Sequence, residues 1–268
     1  MMHKEIITKS DFIISFGSML TNENDNISSS IVEAVSKNSA KFTYMHPIDN
    51  IDLKDSYNQF IKYEVGSEEG ICTLLLDTFV KKCDDKTRAF IDDLDLGYIS
   101  AESSAGEEEF EEAYENYLNA KNRILLVGND IVEHERIENI IKILALIKKY
   151  TKFELIVLNK ELENKINACT KFDLEEIEEL KSFNGTLIYK LIANSQNDEL
   201  IASKTFANIA KVANNDEIYI NIKNQKIKRT LKIDENLHGT IAILKTKTND
   251  DIFNAYPYRQ VKIEKVEA

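Results

Sequence analysis

The sequence predicts an α/β protein: a Rossmann-like, mostly parallel sheet with flanking helices, followed by a small antiparallel β-rich part. Three observations carry this reading. Two largely apolar runs, FIISF at Phe12–Phe16 and RILLVG at Arg123–Gly128, have the composition of strands buried on both faces, as parallel strands are. Each run is followed by a polar loop or turn, a helix with one apolar face and a second strand, which is the order of a βαβ unit. After Glu217 the pattern changes to alternation of apolar and polar residues, the mark of strands with one face in water.

The elements follow in order. Strand Phe12–Phe16 ends at Gly17-Ser18, and the loop TNENDN leads into a helix over Ile27–Lys37 with Ile31, Val32 and Val35 on one face. Lys41–His46 is the next strand, stopped by Pro47, and Ile48–Lys62 predicts no clear element. Ile71–Lys82 reads as a buried helix and Thr87–Leu94 as a short one. Glu107–Ala120 is a charged helix, with Ser104 placed to cap it and Glu107 three residues on. Strand Arg123–Gly128, the turn Asn129-Asp130 and a helix over Glu133–Tyr150 come next. In that helix Ile137, Ile140, Ile141, Leu144 and Ile147 recur on one face, and strand Phe153–Leu158 closes the second unit. Helices are expected at Glu161–Ala168, Asp173–Ser182 and Lys204–Ala213, and a strand at Thr186–Ala193. EIYINI, QKIKRTLKI, GTIAILKT and RQVKIEKV supply the β-rich tail, with Asn224-Gln225 as a tight hairpin turn. These readings divide the chain into an α/β domain over 1–160 and a helical connector with the β-rich part over 161–268.

Composition narrows the function. Forty-six acids against 34 bases leave a net charge of −12 over 268 residues, which argues against nucleic acid and against anionic lipid as partners. The acidity is local. Residues 84–116 hold twelve acids against two bases, Lys86 and Arg88, whereas residues 217–268 hold ten bases against seven acids. The run from Glu107 to Glu112 is by default a solvated helix face. Its functional reading is electrostatic docking, through Glu108, Glu109, Glu111 and Glu112, of a basic partner surface or of the chain's own tail. No apolar stretch approaches membrane-spanning length, so no direct membrane insertion is expected, and the first twenty residues lack the pattern of a signal peptide.

Tests for chemistry return little. Cys72, Cys83 and Cys169 are widely spaced with no CxxC, so local ligands for zinc or an iron–sulfur cluster are missing and reduced thiols are expected. GxGxxG, GxxxxGK[ST], HExxH and GxSxG do not occur, and His3, His46, His134 and His238 are scattered. No catalytic residue and no metal ligand is predicted. The strand-end positions Gly17, Ser18, Gly128, Asn129 and Asp130 are the candidates for ligand contact, because ligands of doubly wound sheets sit beyond the carboxyl ends of the strands. A glycine that lets the strand turn is the plainer reading of both.

Several strings occur together in a meaningful order. GYISAESSAGEEEFEE (Gly97–Glu112) and LLVGNDIVEHERIENIIKILALIKKYTKFELIVL (Leu125–Leu158) resemble the large, molybdopterin-oxidoreductase-like subunit of respiratory complex I, the NADH:quinone oxidoreductase. The positions that match its pattern are Gly128, Asn129, Asp130, His134, Arg136, Asn139, Ile140, Lys149, Tyr150 and Phe153. DFIISFGSMLTNENDNISSSIVEAVSKNSAKFTYMHP resembles the strand–GS–loop–helix–strand unit of molybdopterin oxidoreductases, and ENLHGTIAIL and YPYRQVKI resemble the close of the same subunit. The strand-end turn reads GND where the family has GED, and the family's cysteine-rich iron–sulfur domains have no counterpart. The resemblance implies a trimmed paralogue, a replacement for the NADH-dehydrogenase module subunit. On that basis the chain is a non-catalytic peripheral subunit, cytoplasmic and peripheral to the inner membrane through its complex. Its partners are then the other peripheral-arm subunits and a donor such as flavodoxin or ferredoxin, with no cofactor of its own. The alternative is an α/β enzyme or sensor binding a nucleotide, flavin or pterin at the strand ends.

Overall fold

The computed structural model describes residues 2–20, 26–177, 179–181, 183–193, 198–222, 225–247 and 256–267. The loop 21–25 and Asn224 of the expected hairpin turn lie outside the described residues. The chain forms two compact units, one of Met1–Leu20, Asp25–Pro47 and Leu53–Ser182, the other of Thr21–Asn24, Ile48–Asp52 and Phe183–Ala268.

The first unit is the predicted α/β layer structure. Its strands are β1 (Phe12–Phe16), β2 (Lys41–Met45), β3 (Gln59–Ile61), β4 (Arg123–Val127) and β5 (Phe153–Val157), in the spatial order β3-β2-β1-β4-β5, with every pair parallel. The alternation within each strand divides the core. Phe12, Ile14 and Phe16 of β1, with Leu125 and Val127 of β4, face one helical layer, whereas Ile13, Phe42, Tyr44, Ile124 and Leu126 face the other. The first layer holds α3 (Glu68–Phe79), α4 (Asp85–Asp92), α5 (Leu96–Ser103), α6 (Glu107–Asn119), α7 (Ile137–Tyr150) and α8 (Lys160–Ala168). The second holds α1 (Met2–Thr8) and α2 (Asn26–Asn38).

The amino edge of this sheet is closed by rings. Phe12, Phe79, Tyr117 and Phe153 meet with centroids 4.8–5.2 Å apart at the tightest pairs, and the Arg123 guanidinium lies 4.6 Å from the Tyr117 ring. The Asp11 carboxylate accepts from the backbone N–H groups of Lys121 and Asn122, tying the entry of β4 to that of β1.

Three expectations change in this unit. The helix expected from Glu133 begins at Ile137, because residues 133–136 form turns that carry His134 into the interior and leave Arg136 half-buried. Ser104 does not cap α6. It takes a left-handed conformation at the end of α5 (φ 52°), and Gly106 starts α6, its N–H donating to Glu109 Oε2 at 2.9 Å. No helix forms among the described residues of 173–182. There the Glu175 N–H donates to Asn139 Oδ1 (2.9 Å) and its carbonyl accepts from Asn139 Nδ2 (3.2 Å), so a side chain replaces the helical partners.

The second unit is a β-rich sheet whose pairs are mostly antiparallel. It comprises β6 (Leu187–Ile192), β7 (Glu199–Ala202), β8 (Glu217–Ile222), β9 (Gln225–Ile233), β10 (Ile241–Thr246), β11 (Tyr258–Gln260) and β12 (Lys262–Lys265), with α9 (Lys204–Ala210) packed on it. The order is β11-β6-β10-β7-β9-β8-β12. It is larger than the small unit expected, and two of its pairs, β6–β10 and β7–β9, are parallel. The RQVKIEKV run breaks at Val261, so β11 joins β6 at one edge and β12 joins β8 at the other.

Candidate functional site

The order β3-β2-β1-β4-β5 reverses direction between β1 and β4. The carboxyl end of these two strands is therefore the topological switch point, where doubly wound sheets hold ligands. The structure brings the five strand-end candidates together there. Gly128 N–H donates to Phe16 O at 2.8 Å, and Asp130 N–H donates to Gly17 O at 3.0 Å. The approach is backbone to backbone: a Cβ on Gly128 would lie 2.1 Å from Gly17 O and 2.2 Å from Ser18 Cβ. Gly17 has φ +67°, and a Cβ there would meet Ile131 Cγ2 at 2.7 Å. Both glycines are thus required by the packing of one strand-end loop on the other.

Polar side chains brace this edge. His46, which follows β2, is fully buried and its Nε2 lies 3.1 Å from Asp130 Oδ2, after β4. The pair therefore spans the end of β1, which lies between those strands. His134 is buried as well. Its Nδ1 accepts from Arg136 N–H (3.1 Å), so the proton sits on Nε2, which donates to Gly66 O (3.1 Å) and lies 3.4 Å from Glu68 Oε2. Arg136 Nε reaches both Glu69 oxygens (3.2 and 3.1 Å), Nη1 reaches Glu175 Oε2 (3.0 Å) and Nη2 reaches Glu176 O (2.9 Å). Asn139 Nδ2 adds a 2.7 Å bond to Glu69 Oε1. Lys142, and behind it Arg136, hold the Glu175 carboxyl below the ordinary carboxylate range.

The motif residues of the resemblance divide between two ends of the unit. Asp130, His134, Arg136 and Asn139 are tied into the carboxyl edge. At the far end of α7, Tyr150 OH donates to Asp84, which caps α4, and hydrogen bonding from Tyr150 and Thr87 holds the Asp84 carboxyl well below its ordinary value. Phe153 belongs to the ring cluster at the amino edge. Sequence reasoning missed His46, Glu68 and Glu69 as members of the carboxyl edge. The available signal was the pair of acids opening an otherwise apolar helix.

Cys72 is buried in α3, and burial first, then Glu68 and Glu69, pushes its thiol well above the ordinary range, as befits a core residue. The three cysteines form no disulfide. Among the described residues no cluster of His, Cys, Asp or Glu is arranged to hold a metal ion, and no helix is long and apolar enough to cross a membrane.

The four docking glutamates separate into two kinds. α6 buries Phe110, Ala113 and Tyr117 and turns its glutamates outward. Glu108 and Glu111 are exposed. Glu109 is engaged with the Gly106 N–H, and Glu112 Oε2 accepts from Gln59 Nε2 at 3.2 Å. A groove of about 370 Å³ runs between α3 and α6, floored by Leu74, Leu96, Phe110 and Tyr114 and edged by Asp77, Glu107, Glu111 and Glu115.

No family model and no curated protein matches this chain. A solved structure similar to it is that of acetylene hydratase from Pelobacter acetylenicus, with a TM-score of 0.36 and 10% sequence identity over 44% of this chain and 18% of the hydratase chain. The chain thus spans under a fifth of that protein's length, and a likeness at this score carries no argument about function.

Proposed function

We propose that the chain is a non-catalytic peripheral subunit of a complex I-type NADH:quinone oxidoreductase, one that scaffolds the peripheral arm or docks an electron donor protein such as flavodoxin or ferredoxin. In this reading it lies on the cytoplasmic side, held to the inner membrane through its complex. The observation that carries it is the use made of the family-like residues. Asp130, His134, Arg136 and Asn139 spend their hydrogen bonds on the chain itself, bracing one edge of a sheet. That is the chemistry of a scaffold. Occupation of the strand ends by Ile131 and by the two apposed loops weighs against the alternative, a nucleotide, flavin or pterin bound at Gly17 and Gly128. The exposed acids Glu108 and Glu111 supply a docking face for a basic surface.

Affinity purification of the tagged chain from its native membranes tests the reading. Other peripheral-arm subunits are expected to come down with it, and a purification without any quinone oxidoreductase subunit overturns it. The visible spectrum and mass spectrum of the same material address the alternative: a coloured protein carrying a flavin or pterin would favour it over the scaffold.

A further inference from the structure

The second unit contains a buried cation that forms no ion pair among the described residues. Arg229 of β9 is 9% exposed, and its Nε lacks a hydrogen-bond partner among the described residues. The guanidinium's bond is from Nη1 to the carbonyl of its neighbour Lys228, at 2.8 Å. A charge removed from water to this degree is costly unless an anion or several acceptors meet it. Thr246 of β10 is fully buried, and its Oγ1 likewise has no partner among the described residues.

The sheet register brings the two into one row. β10 and β7 pair antiparallel through Ile243↔Ile201, and β7 and β9 pair parallel through Glu199↔Thr230. Extending the first by three residues and the second by one sets Thr246, Asp198 and Arg229 side by side on three successive strands. Ile192 of β6 pairs with Thr246, and Ile218 of β8 pairs with Arg229. Laterally paired residues point to the same face. Here it is the face of Leu244, Leu200 and Leu231, which belong to the core. Within the row Ile192 and Asp198 are exposed while Thr246 and Arg229 are buried, so the row lies where the core face opens to water. Lys190, paired with Leu244 one step further in, adds a second cation to the same face.

We propose that this row is an oxyanion site. Arg229 supplies the charge and an Nε–H donor, Thr246 supplies a hydroxyl donor, and the ligand is a phosphate or the phosphoryl group of a small molecule. A tetrahedral oxyanion suits the pair because Thr246 and Arg229 stand two strands, about 10 Å, apart. A multi-oxygen acceptor can span part of that gap, and the planar fork of arginine matches such an acceptor. Asp198, between them, is the site's internal competitor.

The test uses the full-length protein with inorganic phosphate as the probe and sodium chloride at matched ionic strength as the control. Thermal unfolding and ³¹P NMR line broadening read the binding. Phosphate is expected to raise the unfolding temperature and broaden its resonance, and chloride to do neither. R229Q is expected to weaken binding about tenfold or more, and T246V about fivefold. D198N is expected to tighten it several-fold by removing the competing carboxylate. If R229Q does not fold, R229K replaces it, keeping the charge without the Nε–H, with a severalfold loss expected. Tighter binding of glycerol 2-phosphate than of inorganic phosphate would assign the site to a phosphorylated small molecule, and the reverse to free phosphate. Equal responses to phosphate and chloride, or full affinity in R229Q or R229K, would overturn the proposal. So would a D198N protein destabilised as much as R229Q with no phosphate response in the wild type, because Asp198 would then be the partner of Arg229.

Discussion

At Gly128 the chain has space for a hydrogen and nothing larger. Gly128→Ala drives a methyl to within 2.1 Å of the Gly17 carbonyl oxygen, and because the obstacle is backbone it cannot rotate away. We expect a loss of about 3 kcal/mol or more by urea unfolding. Gly97→Ala is the control. Its added Cβ meets nothing nearer than Asp95 Oδ1 at 3.6 Å, so stability should stay within about 0.5 kcal/mol of wild type. Arg136 offers a second test. Its partner Glu69 has a side chain only 2% exposed, so Arg136→Met strands a buried carboxylate with Asn139 as its remaining donor. A loss of about 3–5 kcal/mol is expected, measured in the same assay. These residues also mark the limit of what the sequence discloses. Gly17 and Gly128 were legible as strand ends because each closes an apolar run. The ties His46–Asp130, His134–Gly66 and Arg136–Glu69 join residues 67–84 positions apart, and only the strand order and the packing of α3 on α7 bring them together.

Elements differ in how openly their residues declare them. β1 was readable to the residue and β4 to within one residue, because strands buried on both faces need mostly apolar runs. α1 and α5 escaped, one short and mixed in polarity, the other carrying Gly97 and no marked apolar stripe. Residues 173–182 have helical spacing, yet Asn139 and Arg136 claim the backbone groups of Glu175 and Glu176 that a helix would need. In the second unit the alternation of polar and apolar residues announced strands but not their partners, which is why its parallel pairs were not foreseen. One cross-strand cluster there sets a pH response. Glu264 of β12 accepts from Lys262, Lys226 and Asn221, which hold its carboxyl at about 2, against 4.5 for an ordinary glutamate. A carboxyl lowered in the fold stabilises above the unfolded value and loses that contribution as pH falls. The unfolding temperature of wild type should therefore exceed that of Glu264→Gln above pH 5. The gap should close between about pH 4.5 and 2.

For the whole molecule, the net charge of −12 becomes useful only once its distribution is known. Glu109 and Glu112 are engaged within the fold, so reversing all four docking glutamates would mix helix stability with recognition. Glu108→Lys with Glu111→Lys separates the two. Stability should change by less than about 0.5 kcal/mol, while co-purification of partner subunits weakens and the salt dependence of what remains becomes shallower. Glu109→Ala should cost about 1 kcal/mol of stability through the lost helix-start bond and leave recognition in place. The position of β1 has a consequence of another kind. It is the middle strand of its sheet, yet one of its two neighbours, β4, arrives about 110 residues later in the chain. During synthesis β1 and β2 can meet early, but their open side stays unpaired until Val127 has left the ribosome. At ordinary translation rates that wait lasts several seconds. Over that interval the nascent chain presents an apolar strand edge, which makes it a client for chaperones and ties its yield in the cell to the pace of elongation between the two strands.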